Sequence, residues 1–366
     1  MTTPETIMLA TGGTGGHLYP AEALAQELLN RGHKVIIVTD KRGNAFQELG
    51  GKVQIVCVRA ATFKAGIASK IKAVGDILIG ILQAAMLLKE FRPAIIVGFG
   101  GYPSYPTMFA AQRMGFATML HEQNAVLGKA NMHLANKASA IATSLPDTQS
   151  IKPANQGKVT LTGNPVRVAI QAVRDNPYPA TSGIFEIFIT GGSTALTRVF
   201  NETVPAAAKL LPEDIRQRLH IVHQCRDEEN AATTERYKAA GVSAAIKNFF
   251  NDMPERLAAC HLFIGRSGAS TVAEIAMVGR PAIFVPYPSH ADRQQTYNAM
   301  PMSQAGGCWI IQQENFTPEM LAQQLEKLIK NPDTLENAAQ SAKSCGQPDA
   351  VKNLADLVEE KLHSRR

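Results

Sequence analysis

Short apolar runs alternate with helical segments along almost the whole chain, and this alternation restricts the fold more than any other feature. Strands rich in Val and Ile with helices between them indicate a parallel, doubly wound sheet. Six such strands are predicted in the first half, at Ile7–Thr11, Val35–Thr39, Val53–Val58, Ile95–Gly98, Thr118–His121 and Ala140–Thr143.

The pattern restarts after the turn at residues 163–167. A chain of 366 residues is long enough for two cores. The predicted fold class is therefore α/β, with two Rossmann-like parallel-sheet domains facing a cleft, at residues 1–163 and 164–344. We expect the C-terminal helix, residues 345–366, to pack back on the first domain, although its pattern alone fits either. Six strands are predicted in the second half, at Phe185–Thr190, Leu219–His223, Val242–Ile246, Leu262–Ile264, Ala282–Val285 and Cys308–Ile311.

Composition limits the partners and the compartment. The net charge of +6 and the pI of about 9.0 suit an anionic ligand or membrane surface, but the charge is too scattered to indicate nucleic acid. The five cysteines are dispersed and form no C-x-x-C pair, which indicates a reducing compartment. No signal peptide is recognisable and no apolar run approaches the roughly 18 residues of a membrane span, so we expect a cytosolic protein.

A glycine-rich turn at residues 11–17, Thr-Gly-Gly-Thr-Gly-Gly-His, joins the first strand to a helix predicted at Leu18–Leu29. Glycines let the backbone approach a ligand closely, and a helix N-terminus favours negative charge. The dinucleotide fingerprint fails because Leu18 stands where its last glycine is required, and the chain contains no P-loop motif. The turn either binds nothing or is a phosphate cradle with His17 beside it, and we favour the cradle.

Two further glycine turns end predicted strands, at residues 98–104 and 190–194. The first precedes a helix predicted at Tyr105–Met114. The second carries Ser193, whose hydroxyl can join backbone N–H groups around a phosphate. Three such turns at three strand ends are hard to explain by structure alone, and they favour an anionic ligand.

Two polar segments that follow strands have both a structural and a functional interpretation. Residues 121–124 read His-Glu-Gln-Asn, and Asn124 is either a helix cap or a group that binds sugar hydroxyls. In residues 265–274, Thr271 and Glu274 fit a capping box, yet the carboxylate of Glu274 could instead accept both hydroxyls of a ribose.

A third polar segment, residues 290–295, follows a strand that leaves the sheet. The adjacent amides of Gln294 and Gln295, beside Asp292, suit the recognition of hydroxyl groups. A solvated helix start would have a similar composition.

Residues 64–91 are predicted to form a helix with a basic rim, including Lys70 and Lys72. The helix either faces the core or rests partly on an anionic membrane, and apolar residues outside its main stripe favour the membrane. The predicted apolar stripe consists of Ile67, Ile71, Val74, Leu78, Ile81 and Ala85.

Taken together, these motifs resemble the MurG family, the peptidoglycan N-acetylglucosaminyltransferases that convert lipid I to lipid II. The resemblance covers nearly the whole chain. It implies the GT-B fold, with the lipid acceptor held by the N-terminal domain and UDP-GlcNAc mainly by the C-terminal one. The segments that carry it are GGTGGHLYPA at 12–21, GFGGYPSYP at 98–106, HEQNAVLGKAN at 121–131, GNPVR at 163–167, GGS at 191–193, RSGASTVAE at 266–274 and DRQQTYNA at 292–299.

The resemblance also implies roles for individual residues. His17 would lie beside the reacting centre, and Asn124 would bind GlcNAc hydroxyls. The residues that would border the diphosphates or form the acceptor loop are Thr14, Gly15, Gly16, Gly100, Gly101, Tyr102 and Ser104. Arg167 and Ser193 would contact the nucleotide or its diphosphate, and Phe250 would line the uracil pocket. Gln294 and Gln295 would bind the sugar, and Glu274 would bind the ribose. The segment that would surround the nucleotide consists of Ala269, Ser270, Thr271, Val272, Ala273 and Glu274.

The chain departs from the family pattern in three places. Thr194–Leu196 stand where the third glycine turn has Gln, Gly and Ala. Leu127 replaces a proline, and residues 288–291 contain an apparent extra residue. The first departure bears on donor binding, because it directly follows Ser193 in the third glycine turn.

The implied reaction is a displacement with inversion, in which a MurNAc hydroxyl attacks UDP-GlcNAc and His17 takes its proton. The chain has no D-x-D pair, so we expect no obligatory metal, and we expect no cofactor. The implied location is peripheral, on the cytoplasmic face of the bacterial inner membrane. The alternatives are a UDP-GlcNAc epimerase, a dinucleotide oxidoreductase that uses Asp40, and a non-catalytic nucleotide-sugar binding protein.

Overall fold

The structure is a computed structural model, and it describes residues 4–40, 49, 51–62, 66–192, 198–288 and 292–363, with the backbone only at residues 67 and 68. The chain divides into two compact units. The first unit is Met1–Arg167 together with Pro348–Arg366, and the second unit is Val168–Gln347.

The described part of the first unit is built on a parallel sheet of seven strands in the order β3-β2-β1-β4-β5-β6-β7. The strands are β1 Thr6–Ala10, β2 Lys34–Thr39, β3 Gln54–Cys57, β4 Ile95–Gly98, β5 Ala117–Glu122, β6 Ala140–Thr143 and β7 Val159–Leu161. The first four helices are α1 Gly15–Asn30, α2 Ile67–Phe91, α3 Gly101–Arg113 and α4 Lys129–Leu134.

The described part of the second unit repeats this design with six parallel strands in the order β10-β9-β8-β11-β12-β13. The strands are β8 Phe185–Thr190, β9 Leu219–Gln224, β10 Ser243–Lys247, β11 Leu262–Gly265, β12 Ala282–Phe284 and β13 Cys308–Ile310. The helices are α5 Val168–Ala172, α6 Arg198–Leu210, α7 Glu213–Arg216, α8 Asp227–Ala240, α9 Met253–Ala259, α10 Ala269–Val278, α11 Gln294–Gln304, α12 Pro318–Ile329 and α13 Pro332–Ser344.

Every strand predicted from the sequence is present, to within one residue at each end. They were recognisable because both faces of each sheet are covered, so the strands are apolar throughout. In β1, Ile7 and Leu9 belong to one core, whereas Met8 and Ala10 belong to the core on the opposite face. The strand that the sequence did not predict is β7, whose three residues, Val-Thr-Leu, are too few and too mixed to form a pattern.

Helices α1 and α3 begin earlier than predicted, inside the glycine turns. Helix α1 begins at Gly15 rather than Leu18, and α3 begins at Gly101 rather than Tyr105. His17 is therefore the third residue of α1 and is held by the first helical turn. This matters for function because the side chain is fixed by a helix rather than carried on a loop.

Each sheet has a point at which the chain order reverses, between β1 and β4 and between β8 and β11. At such a point the two following loops leave in opposite directions and open a crevice at the carboxyl ends of the strands. The backbones approach so closely there that side chains do not fit. A Cβ on Gly12 would lie 2.8 Å from Cβ of Pro103, and a Cβ on Gly265 would lie 2.2 Å from the carbonyl oxygen of Thr190.

The last helix, α14 at Ala350–His363, packs against α1 and covers one face of the first sheet. Its residues Leu354 and Val358 are fully buried in the same core as Leu24 and Leu28. The sequence pattern predicted an amphipathic helix, but only the packing shows which sheet it covers.

Ionic contacts fix α14 in place at its solvent edge. Arg31 donates to Asp356 at 2.5 Å and to Glu359 at 2.8 Å. His33 accepts a hydrogen bond from the backbone N–H of Glu5 on Nδ1, so its Nε2–H donates to Glu359 over 3.0 Å. Partial burial of the Glu359 carboxyl opposes ionisation, but the hydrogen bonds from His33 and Arg31 outweigh it and lower its pKa.

Helix α2 presents only part of the predicted stripe to the core. Ala73, Ala84 and Leu88 are buried, whereas Ile71 and Leu78 of the predicted stripe are exposed, at 69% and 57%. The helix lies so close to the preceding segment that a Cβ on Gly80 would be 1.9 Å from the carbonyl oxygen of Arg59. Of the predicted stripe, Ile71, Val74 and Leu78 are thus exposed, whereas Ile81 and Ala85 are half-buried and pack against the core, so the core-facing interpretation holds only for the C-terminal part of the stripe.

Residues Ser69–Phe91 of α2 are long and apolar enough to cross a membrane by length and composition alone. The expectation that no apolar stretch is long enough to span a membrane is therefore wrong, because α2 is apolar over this length despite its few charged residues. Core helices of soluble proteins pass the same test, so it does not by itself indicate a span.

Replacing Glu359 with glutamine should lower the free energy of unfolding at neutral pH by about 1 kcal/mol, because the charge-assisted bonds to Arg31 and His33 are lost. The folded-state pKa of Glu359 is lowered, so its contribution is present above the unfolded value and disappears as the pH falls through the folded value. The difference between the two proteins, measured by urea unfolding and circular dichroism, should therefore shrink below about pH 4.

The control for this prediction is Glu360→Gln on the same helix. Glu360 is 64% exposed and is paired with Lys361. This change should alter stability by less than about 0.5 kcal/mol. Equal effects of the two substitutions would contradict the role given to Glu359.

Candidate functional site

The first glycine turn connects β1 to α1 at the reversal point of the first sheet. Gly12 and Gly13 have φ of 146° and 89°, which a residue with a side chain rarely adopts. Thr11 donates its hydroxyl to the carbonyl oxygen of His17 at 2.8 Å and ties the strand end to the first helical turn. Thr14 is exposed and occupies the N-cap position of α1 without a side-chain cap hydrogen bond, and Gly15 and Gly16 form the first residues of the helix.

The side chain of His17 reaches across to β5. Its Nδ1 lies 3.0 Å from Oε1 of Gln123, which is 2% exposed. The other edge of the ring faces the second glycine turn, where a Cβ on Gly101 would lie 3.0 Å from Cδ2 and 3.2 Å from Nε2. His17 itself is half-buried.

Tyr19 and Arg167 pack against the same turn. A Cβ on Gly15 would lie 2.7 Å from Cε2 of Tyr19, so the glycine allows the ring to fold back over the turn. The guanidinium of Arg167 lies 4.2 Å from the centre of that ring. A positive charge is therefore held beside Gly15 by a cation–π contact.

The second glycine turn is the first turn of α3. Gly100 and Gly101 have φ of 77° and 71°, and Ser104 donates its hydroxyl to the carbonyl oxygen of Gly101 at 3.1 Å. Tyr102 donates its hydroxyl to Asp40 at 3.1 Å. Ser104 is 1% exposed, so it stabilises the turn from inside, whereas Tyr102 is half-buried.

The carboxylate of Glu122 organises the segment after β5. Its Oε1 accepts from the backbone N–H of Asn124 at 3.0 Å and from Nδ2 of Asn124 at 3.1 Å. Its Oε2 accepts from the N–H of Gly128 at 2.9 Å and from Nδ2 of Asn131 at 2.8 Å. Glu122 is 2% exposed, so it orients Asn124 rather than meeting a ligand.

Asn124 is half-buried and lies at the carboxyl end of the first sheet. The interpretation of Asn124 as a helix cap is wrong, because α4 begins at Lys129 and Gly128 occupies its N-cap position. The polar run after β5 therefore combines one half-buried amide with the buried residues Glu122 and Gln123 that position their neighbours.

In the second unit, the third glycine turn follows β8. Gly192 donates its N–H to the hydroxyl of Thr190 at 3.1 Å, and Thr190 in turn contacts Gln224 at the end of β9. Ser193 and the family departure at Thr194–Leu196 lie outside the described residues. The described part of this turn is thus fixed by hydroxyl and amide groups of the neighbouring strand end.

Helix α10 begins directly after β11, and Gly268 is its N-cap. The capping-box interpretation is wrong, because Thr271 is already the third helical residue and no side chain caps the helix. The half-buried residues of the first turns are Ala269, Ser270, Thr271, Val272 and Ala273, and Glu274 behind them is 7% exposed. The open end of α10 is a site at which backbone N–H groups favour an anion.

Arg266 is a structural residue of this region that the sequence analysis did not single out. It is 4% exposed, and its Nη1 donates to the carbonyl oxygen of Val285 at 2.9 Å while Nη2 donates to Gln313 at 2.7 Å. The rings of Phe200 and Tyr287 lie 5.2 and 5.4 Å from its guanidinium. Burial lowers the pKa of Arg266 to about 10, so it stays charged at neutral pH.

Gln294 and Gln295 begin α11, and they differ in their surroundings. Oε1 of Gln295 accepts from the backbone N–H of Tyr287 at 2.9 Å, and the residue is 9% exposed. The backbone N–H of Gln294 donates to Asp292 at 3.2 Å. The apparent extra residue within 288–291 falls largely on residues 289–291, which lie outside the described part of the chain.

Phe250 follows β10 and is only 2% exposed. Its ring meets that of Phe188 edge-on, with centroids 5.6 Å apart, and the charged groups of Lys247 and Arg256 each lie 5.8 Å from it. The ring of Phe250 is therefore part of the packed interior beside β8.

Two family models match the chain. The glycosyltransferase family 28 N-terminal domain matches residues 7–143, and the glycosyltransferase family 28 C-terminal domain matches residues 186–354. The two matches fall in the first and the second unit, with the second extending into α14.

Curated relatives match over almost their full length. The protein of Rhodospirillum centenum is 50% identical over 354 residues, which are 96% of this chain and 93% of the relative. That of Erythrobacter litoralis is 44% identical over 357 residues, which are 96% and 89%. Both are named UDP-N-acetylglucosamine–N-acetylmuramyl-(pentapeptide) pyrophosphoryl-undecaprenol N-acetylglucosamine transferase.

Solved structures agree with these matches. The crystal structure of MurG from Acinetobacter baumannii superimposes with a TM-score of 0.76 at 30% identity, over 98% of this chain and 100% of that one. A UDP-GlcNAc 2-epimerase from Neisseria meningitidis superimposes with a TM-score of 0.68 at 14% identity, over 97% and 100%, and shows a shared fold only. The two sheets and the long match to named relatives show that the chain belongs to the MurG family of α/β glycosyltransferases, within glycosyltransferase family 28.

Proposed function

We propose that this enzyme transfers GlcNAc from UDP-GlcNAc to the C4 hydroxyl of MurNAc in undecaprenyl-linked lipid I, with inversion, and so forms lipid II. The observation that carries the proposal is the placement of His17. Its ring is held at Nδ1 by Gln123, and its other nitrogen faces the Gly101 turn at the reversal point of the first sheet. The full-length similarity to relatives that bear this enzyme name supports the substrates.

The first unit would bind the acceptor. The glycine turns at 12–16 and 100–104 lie side by side, so their N–H groups and two helix N-termini can meet one diphosphate. Arg167 holds a positive charge next to Gly15 through its stack on Tyr19. Asn124, fixed by Glu122, would bind hydroxyl groups of the transferred sugar.

The second unit would bind the donor. The open N-terminus of α10, residues Ala269–Ala273, suits the diphosphate, and Glu274 would accept the ribose hydroxyls. The backbone around Phe250 would pair with the uracil, and Ser193 would add a hydroxyl to the phosphate site. Gln294 and Gln295 at the start of α11 would bind the sugar, with Gln295 oriented by the N–H of Tyr287.

In the proposed reaction, the C4 oxygen forms a bond to the anomeric carbon as the bond from that carbon to UDP breaks. The hydroxyl proton goes to His17, and UDP leaves with the electron pair of the broken bond. Histidine is the side chain that most often serves as general base in proton transfers of this kind. Negative charge that develops on the leaving diphosphate would be stabilised by helix N-termini and loop N–H groups.

The exposed stripe of α2 would seat the enzyme on the cytoplasmic face of the bacterial inner membrane. Its exposed apolar residues lie on the face opposite to Ala73, Ala84 and Leu88, and Lys70 and Lys72 are exposed beside it. An apolar stripe with cations at its end suits the interface of an anionic bilayer. This placement would bring the first unit to the lipid acceptor.

Release of UDP from UDP-GlcNAc tests the proposed function directly. We expect UDP to appear only when a lipid I analogue is present, with one GlcNAc transferred for each UDP. UDP release without acceptor, together with conversion of the sugar, would indicate an epimerase instead. No turnover at all, with UDP-GlcNAc still bound, would indicate a binding protein.

Replacing His17 with alanine should lower kcat by about 10²–10⁴-fold, because the attacking hydroxyl loses its proton acceptor. The KM for UDP-GlcNAc should stay within about twofold, since the residue lies in the first unit. The matched control is His220→Ala, a histidine of β9 whose contact is with Ser243. An unchanged kcat for His17→Ala would remove the role given to this residue.

Charge reversal by Lys70→Glu and Lys72→Glu should weaken binding to anionic phosphatidylglycerol vesicles by about tenfold or more, because each lysine near such a surface contributes about 1 kcal/mol. Binding to neutral vesicles should change much less. Reversal of the exposed Lys209 and Lys238 in the second unit is the control and should have little effect in vesicle co-sedimentation. Intact binding after reversal at Lys70 and Lys72 would exclude this surface.

A further inference from the structure

A chain of hydrogen bonds runs from the backbone carbonyl of Gly163 through His121 and Gln123 to His17. His121 is fully buried and Gln123 is 2% exposed, so water does not compete with these bonds. Each group can therefore act only as the donor or acceptor that its neighbour requires.

At the Gly163 end of this series of hydrogen bonds, the position of the proton is unambiguous. Nε2 of His121 lies 3.1 Å from the carbonyl oxygen of Gly163, which can only accept, so Nε2 carries the proton. Burial lowers the pKa of His121 to about 4, against a smaller opposing effect of the Gly163 carbonyl, so the ring is neutral at physiological pH. Its Nδ1 must then accept a hydrogen bond.

The orientation of the Gln123 amide follows from this. Its Nε2 lies 2.9 Å from Nδ1 of His121 and 3.0 Å from the carbonyl oxygen of Phe99, both of which accept. The reverse orientation would place the amide oxygen against two acceptors and leave both without a donor. The amide oxygen therefore faces His17, and Nδ1 of His17 must donate to it over 3.0 Å.

We infer that Gln123 is a positioning residue that holds neutral His17 with its proton on Nδ1 and its lone pair on Nε2. Nε2 is the nitrogen that faces the Gly101 turn, where a glycine leaves room beside the ring. His121 acts one step further back by fixing the amide of Gln123. The inference rests on the proposed function, because it assigns the nitrogen that receives the acceptor hydroxyl proton.

In this arrangement His17 can accept the proton without a change in its ring orientation or in its hydrogen bond to Gln123. The proton of the C4 hydroxyl moves to Nε2 of His17 while the oxygen forms its bond to the anomeric carbon and UDP departs with its electron pair. After the transfer, Nδ1–H still donates to Gln123, so the hydrogen bond is kept in both protonation states. In the opposite tautomer, Nε2 would present a proton to the hydroxyl and block the step.

The tautomer can be observed in the unaltered protein. The full-length chain would be labelled with ¹⁵N-histidine, and the ring nitrogens of His17 would be identified by loss of their signals in His17→Ala. Long-range ¹H–¹⁵N correlation spectra at a pH where His17 is neutral should show a protonated Nδ1 and an unprotonated Nε2. A protonated Nε2 in this spectrum overturns the inference, whatever the activity.

The variant Gln123→Met keeps the length of the side chain and removes its polar atoms. Because nothing then fixes the ring, the Nε2–H form should appear in the spectrum, and kcat should fall by about tenfold or more. The KM for UDP-GlcNAc should stay within about twofold. A purely structural glutamine would not shift the tautomer of His17.

The matched control is Gln112→Met in the same unit. Nε2 of Gln112 donates to the hydroxyl of Thr118 at 3.2 Å and to the carbonyl oxygen of Leu134 at 2.9 Å, without touching the His17 network. This variant should keep both the His17 spectrum and kcat. If Gln123→Met retains the Nδ1–H form and a kcat within twofold of the wild type, the inference fails. Absence of acceptor-dependent UDP release in the wild type would instead refute the proposed function.

Discussion

The close approach of two backbone segments at the reversal point of each sheet is the constraint on which the rest of the structure depends. In the first unit Gly12 lies against Pro103, and in the second unit Gly265 lies against the carbonyl of Thr190. Any side chain at either glycine would separate the two loops. Because the loops stay close, helix N-termini lie together at the carboxyl ends of the strands, where a helix N-terminus favours a phosphate group.

Buried polar groups then determine what these loops can do. Glu122 uses both carboxylate oxygens to hold Asn124, Gly128 and Asn131, so it organises the segment after β5 without reacting itself. Gln123, next to it, donates to Nδ1 of His121 and to the carbonyl oxygen of Phe99. Its amide oxygen accepts from His17 and so orients that ring. In the second unit, Arg266 ties the ends of β11 and β12 together in the same way. Each of these residues is nearly inaccessible, yet each decides the geometry of an accessible neighbour.

The sequence predicted the strands well because covered parallel strands are apolar throughout, and this pattern does not depend on partners. It was less successful in predicting helix starts and buried helix faces, because tertiary packing determines these. The T-x-x-E pattern at Thr271 suggested a helix start, but β11 leads straight into α10 and Gly268 becomes the cap. The apolar stripe of α2 fitted either a core face or a membrane surface, and only the structure shows that Ala73, Gly80 and Ala84 are buried while Ile71 and Leu78 are exposed. His17 could be identified as a candidate from its position after a glycine turn. The role of Gln123 could not, because it depends on a contact 106 residues away.

The proposed reaction is a single displacement at the anomeric carbon with His17 as the proton acceptor, and the carboxylate of Glu122 beside it accepts hydrogen bonds on both oxygens and serves to orient its neighbours. The most direct test is the anomeric configuration of the product, read from the proton–proton coupling of the new glycosidic linkage by NMR. UDP-GlcNAc carries an α-linked sugar, so the account predicts a β-linked GlcNAc on the acceptor. An α-linked product would contradict it, since a single displacement from the face opposite the leaving UDP inverts the anomeric centre.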